Sequence, residues 1–223
     1  MDRNEYVEEI KLIQEQNDVE FELYPMAVDI IKPTLKNLSK RYVFARRKTD
    51  RGQIYYGVSS FPDVAILDNE FKNTPNTCIS KEEWLKLKGC VEVKALSSRL
   101  ISKEEIERVI LEKPETLEKD MGQLIGEVLW YKRVIYTNGI KWRFIYIKNY
   151  SEKLSCALID AANERIKYDE KIKNNEEESS ITEYNWWEKV KSVKFEIVDE
   201  CISDNCIINW DDFISNIQKI NWE

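Results

Sequence analysis

The chain has 223 residues and not one histidine. That absence removes the imidazole general base, the Ser-His-Asp triad, the HExxH zinc site and the His-dependent nuclease folds. Any catalysis must run on carboxylates, Lys, Cys or Tyr. Cysteine is sparse: five thiols at positions 78, 90, 156, 201 and 206, odd in number, with no CxxC pair. A structural zinc site is disfavoured, and mostly buried thiols in a reducing compartment are expected. The opening MDRNEYVEEI has no apolar signal core, and no run approaches the ~18 apolar residues of a spanning helix. A soluble, cytoplasmic protein with no membrane partner is expected. Positive charge is in deficit, 34 Lys+Arg against 41 Asp+Glu, net −7. Nucleic acid would have to be met by a local patch. What is present, 43% apolar residues, is enough for a packed core in one large domain or a domain with an appendage.

Apolar spacing predicts a helix over Asp2–Gln16 with Tyr6, Ile10 and Ile13 on its buried face, then a second over Glu20–Leu38, kinked or shortened by Pro33. The period then changes from 3.6 to 2. Strands are predicted over Arg41–Arg46, Gln53–Val58 and Phe61–Leu67, and a further one over Cys90–Leu96. Ser80-Lys81-Glu82-Glu83 and Ser102-Lys103-Glu104-Glu105 each open a helix with a capping box. A longer helix follows over Glu115–Tyr131, and Asn138-Gly139 joins strands Val134–Thr137 and Ile140–Ile147. Beyond Tyr150 come a helix near Leu158–Ile172, an acidic loop at 174–180, a strand over Val193–Val198 and a last helix around Asp211–Ile220. The pattern is α/β: a mixed central sheet flanked by helices. It divides into an N-terminal helical extension (1–17), a core (18–150) and a small α+β C-terminal accessory region (151–223).

Two strands of buried type carry charge where a core strand should not. Asp63 follows Pro62 at the entrance of one, and Glu92 and Lys94 flank Val93 in the other. Residues two apart on a strand share a face, so Glu92 and Lys94 point together while Val91, Val93 and Ala95 face the opposite layer. Buried charge needs a partner or a metal. If the strands are neighbours, Asp63 and Glu92 converge on one divalent cation, for which one or two carboxylates suffice when it is Mg²⁺. Lys94 would orient or deprotonate the attacking water and offset charge in the transition state. A bland alternative is a buried salt bridge of Lys94 with Asp63 or Glu92.

Pro62-Asp63, followed 29 residues later by Glu92-Val93-Lys94, resembles the PD-(D/E)XK nuclease superfamily, the restriction-endonuclease-like fold. The predicted order of helix, three strands, helix and strand is similar to that family's core. The resemblance implies Asp63 and Glu92 as metal ligands, the Val93 carbonyl as an extra ligand and Lys94 as the catalytic lysine. It further implies an acid from the first core helix, Glu22 with Glu20 as alternate, and a catalytic Gln123 from the helix after the lysine strand. Where some members carry Tyr four residues beyond that Gln, position 127 here is Glu.

Charge is unevenly spread. From Lys36 to Arg51 seven bases stand against one acid, +6 in a chain of −7. Lys40, Arg41, Arg46, Arg47, Lys48 and Arg51 form a candidate nucleic-acid patch, with Tyr42 and Phe44 interleaved; a charge-protected sheet edge accounts for them equally. Lys132, Arg133, Lys141 and Arg143 form a second basic set, and the seven Trp are assigned to packing. The expected activity is a Mg²⁺-dependent nuclease, with Mn²⁺ as substitute and DNA as the favoured partner. A homodimer would serve duplex cleavage. The alternatives are a non-catalytic module of nuclease-like fold that binds nucleic acid or a protein partner, and an ordinary α/β domain.

Overall fold

The computed structural model describes residues 1–43, 51–74, 78–173 and 184–222. Asp2 caps α1 (Arg3–Gln16) by accepting from the amides of Asn4 and Glu5, and the expected Tyr6–Ile10–Ile13 face is buried. A 3₁₀ turn (Glu20–Glu22) enters α2 (Leu23–Ile31), and a second 3₁₀ turn (Lys32–Thr34) containing Pro33 ends it. The α-helix therefore stops short of Leu38, as a ring without an N–H dictates.

Among the described residues six strands form one sheet: β1 (Leu38–Tyr42), β2 (Val64–Asp68), β3 (Leu87–Val93), β4 (Arg133–Thr137), β5 (Trp142–Ile147) and β6 (Ile197–Ser203), in that spatial order. All neighbours are antiparallel except β3 and β4, which are parallel. Between them run α3 (Gln53–Tyr56), α4 (Lys81–Leu85), α5 (Lys103–Glu112), α6 (Lys119–Tyr131), α7 (Glu152–Lys173) and α8 (Trp187–Val190), with α9 (Trp210–Gln218) last. Ser80 and Ser102 close capping boxes with Glu83 and Glu105 at the starts of α4 and α5.

Alternation along the strands splits the interior into two cores. Ala65, Cys90, Val134, Tyr136 and Ile145 face α6, α7 and α8. Val64, Val91, Val93, Ile135 and Trp142 face α1, α2 and α9. Residues 151–223 contribute α7 to the first core, α9 to the second and β6 to the sheet itself, beside β5. Among the described residues no helix is long and apolar enough to cross a membrane.

Gln53–Val58 is not a strand. It forms α3 and a turn, closed by Gly57 at φ +59°, where the Trp130 ring leaves no room for a Cβ. Trp130 Nε1 donates to the Ile54 carbonyl (2.8 Å), the Tyr131 hydroxyl to Tyr55 (2.7 Å) and Arg165 Nε to Gly57 (2.9 Å). These side chains take the carbonyls that a neighbouring strand would have paired, and tertiary contacts override the β preference of Ile and Tyr. Six of the seven Trp are buried. Only Cys90 and Cys206 of the thiols are; Cys78, Cys156 and Cys201 are exposed, contrary to the mostly buried set expected.

Candidate active site

The pairing of β2 with β3 ends at Val64 opposite Val91. Pro62, two residues before Val64, has no N–H to extend the ladder. Asp63 fills the gap with its side chain: Oδ2 accepts the Val93 amide at 2.6 Å, and Oδ1 accepts the hydroxyl of Tyr24 from α2. Its carbonyl accepts the Val43 amide at 2.9 Å, tying in the end of β1. The carboxylate is thus clamped where β2 and β3 part, and is 8% exposed.

Glu92, on β3, points toward α6 and is 2% exposed. Its Oε1 accepts Lys94 Nζ at 2.7 Å and Gln123 Nε2 at 2.7 Å, while its Oε2 is buried with no hydrogen-bond partner among the described residues. Lys94 lies one residue beyond β3, its amide held by the Thr137 carbonyl of β4 at 2.8 Å. One turn beyond Gln123 along α6, Glu127 is 1% exposed; its Oε1 accepts the same Gln123 nitrogen at 3.1 Å, and its Oε2 is also buried and unpartnered among the described residues.

Three buried carboxylates face one ammonium, and their proton affinities record it. Burial lifts Asp63 to about 6, against the bonds from Tyr24 and Val93. Burial, then the charge of Asp63, lifts Glu92 to about 8, against Lys94. Burial and the charges of Glu92 and Asp63 raise Glu127 well above the carboxylate range. For Lys94, burial alone would lower the pKa, but Glu92 and Glu127 outweigh it and hold the amine above its ordinary value. An amine so held favours its ammonium form, which can donate and offset charge.

Asp63, Glu92, Lys94 and Gln123 are thus gathered at one end of the sheet, with the Val93 peptide between them. Glu22 is not among them: it accepts from Asn17 Nδ2 at 3.0 Å, and the acid whose charge acts on Asp63, Glu92 and Tyr24 is Glu20. Both acids lie in the 3₁₀ turn through which the chain enters α2. Of the basic patch, Lys40 and Arg41 lie on edge strand β1, with Lys40 Nζ 5.7 Å from the Tyr42 ring centre, and Arg51 is exposed. Arg46, Arg47 and Lys48 lie outside the described residues. In the second basic set, Arg143 is paired with Asp199 of β6 and Lys132 donates to the Leu87 carbonyl at 3.1 Å over the Trp84 ring. Two members of the cluster escaped the sequence reading. Glu127 had a signal, a lone acid inside Leu124-Ile125-Gly126-Glu127-Val128-Leu129; Tyr24 had none beyond its place in the helix.

Among the described residues no three His, Cys, Asp or Glu side chains come together as a metal-binding group. What the site offers a hard cation is two carboxylates, Asp63 and Glu92, with the unpartnered Glu92 Oε2 as the oxygen in want of a ligand. Mg²⁺ commonly takes no more from a protein, filling its shell with water and phosphate oxygens. Comparison with protein-family models, with curated proteins and with solved structures finds no match.

Proposed function

We propose that the chain is a Mg²⁺-dependent nuclease that hydrolyses phosphodiester bonds, with DNA the preferred substrate and Mn²⁺ an effective substitute. The observation that carries this reading is the meeting of three buried acids with one part-buried ammonium at one end of the sheet, with Glu92 Oε2 lacking a hydrogen-bond partner among the described residues. Acids buried this deeply take up protons unless a counter-charge is brought to them, and a bound cation would supply it. Three strands still stand between α2 and α5, with β4 after α6, in keeping with the PD-(D/E)XK resemblance, although α3 and α4 interrupt them and Gln53–Val58 is not one of the three.

Asp63 and Glu92 would hold the cation, which when bound supplies Lewis acidity toward a phosphoryl oxygen and water. The clamps from Tyr24 and the Val93 amide fix Asp63 in advance, so no reorganisation is needed at reaction. Lys94, paired with Glu92 at 2.7 Å, would donate to phosphoryl oxygens as negative charge builds on them. In the net reaction the water oxygen bonds to phosphorus and the phosphorus–oxygen ester bond breaks. One product carries a phosphomonoester and the other a hydroxyl. Lys40 and Arg41 on the sheet edge, with the bases that follow β1, would track the backbone phosphates.

Cleavage of plasmid, linear duplex and single-stranded DNA with Mg²⁺ or with EDTA tests the proposal. Activity is expected only with the metal, and Asp63→Asn and Lys94→Ala should each abolish it. Cleavage that survives either substitution defeats the assignment. The non-catalytic module draws on the small number of ligands; it predicts salt-sensitive DNA binding with no Mg²⁺ uptake in calorimetry.

A further inference from the structure

Glu127 sits in the most apolar stretch of α6, between Met121 and Tyr131, where every residue but Gln123 is buried. An acid there is costly, and among the described residues it pairs with no cation and its one hydrogen bond is to Gln123. A primary amide nitrogen carries two hydrogens. Both are used, one on Glu92 Oε1 at 2.7 Å and one on Glu127 Oε1 at 3.1 Å. The amide oxygen must then point the other way. It accepts nothing from the described residues and is not buried, so it opens onto the accessible side of the cluster.

We infer that Glu127 is a positioning residue, which locks the Gln123 amide with its nitrogen toward the acids and its oxygen outward as the acceptor for the attacking water. This rests on the nuclease reading. With Glu92 alone the amide is held by one bond and can swing about it; the second bond sets the plane. With any carboxyl proton on the unpartnered Oε2 atoms, a flip would set the amide oxygen against two accepting oxygens, Glu92 Oε1 and Glu127 Oε1, with no hydrogen between them. Glu127 Oε1 imposes the native direction as an acceptor, which it remains when the acid is ionised or protonated on Oε2. An amide at position 127 would not, because it can donate to a flipped Gln123 as readily as accept from the native one. The oriented oxygen forms no covalent bond; it aligns a lone pair of the water toward phosphorus, the kind of alignment whose loss costs about 10–100-fold in rate.

Glu127→Gln is nearly isosteric and removes a buried acid, so the variant should fold at least as stably as the native chain. Two measurements test the inference. In NMR spectra of the native protein, the Gln123 side-chain amide hydrogens should exchange slowly with solvent, and Glu127→Gln should shift them and speed that exchange. In single-turnover cleavage with Mg²⁺, Glu127→Gln should lower the rate about 10–100-fold while KM and Mg²⁺ affinity by calorimetry stay within roughly threefold. Adding Gln123→Leu should cost little more, since the two act as a unit. Fast native exchange, unchanged amide signals, an unchanged rate or additive losses each overturn the inference. If the native protein cleaves nothing, the nuclease reading fails and the water-orienting role with it, while the NMR result still decides whether Glu127 fixes the amide.

Discussion

Raising the pH should weaken the metal-free protein where most proteins are indifferent. Glu92 moves from an ordinary 4.5 to about 8 on folding, because burial and the charge of Asp63 disfavour its ionised form. Between those values the folded state holds a proton that the unfolded chain has released, so stability is fully present below about 4.5 and is lost as pH rises through about 8. At about 1.4 kcal/mol per unit the full loss is about 5 kcal/mol, of which about 2–3 falls between pH 5 and pH 7. Asp63, lifted to about 6 chiefly by burial, acts with the same sign. The interval is unusually clean, since without histidine no side chain of ordinary pKa titrates there. Lys132, lowered to about 7 by burial with Lys88 and Arg133 near it, has the opposite sign and matters only above that value. Urea unfolding followed by circular dichroism at fixed ionic strength should show the fall in the native protein, and Glu92→Gln should remove its Glu92 share. Saturating Mg²⁺ should flatten the slope, because a cation binds the ionised folded site and not the unfolded chain. A native profile that is flat or rising from pH 5 to pH 7, or a Glu92→Gln variant that keeps the whole slope, would refute the reasoning.

Lys94→Met should cost about 1–3 kcal/mol at pH 8, where Glu92 loses its only ammonium, and far less at pH 5, where Glu92 is protonated; denaturant midpoints at the two values check this. Arg143 and Asp199 form a largely buried pair across β5 and β6, so Arg143→Met should destabilise by about 3–5 kcal/mol in the same assay, and Arg143→Met with Asp199→Leu by much less. Trp222 lies over Gly89 of β3 and donates to Thr34 Oγ1 at 2.8 Å; Trp222→Ala should cost about 3–5 kcal/mol in thermal unfolding. Titration with a thiol reagent should label three cysteines in the native protein, Cys78, Cys156 and Cys201, and the other two only in denaturant.

Much of the scaffold was legible because its signals are local. Ser80 and Ser102 start helices where capping chemistry says they must, and the alternation of Glu92 with Val91 and Val93 assigns faces correctly. Gln53–Val58 misled because what bends it lies far along the chain, in Trp130, Tyr131 and Arg165. The strand at Val193–Val198 is displaced to Ile197–Ser203 for a similar reason: its register is set by pairing with β5. In the site, Asp63, Glu92 and Lys94 stood out as charges in apolar strands. Tyr24 and Glu127 contribute through geometry between a helix and the sheet, which no spacing along the chain encodes, and of the two acids expected from the first core helix it is the alternate, Glu20, whose charge reaches Asp63 and Glu92.

The place of Asp63 at the parting of two strands bears on how its variants should be interpreted. One oxygen of that carboxylate serves as the mortar of the sheet, standing in for a missing backbone acceptor at Val93. Asp63→Ala would knock out a structural rung along with the charge, so a dead Ala variant is ambiguous by construction. Asp63→Asn keeps an acceptor for the Val93 amide while discarding the negative charge, and so separates masonry from chemistry.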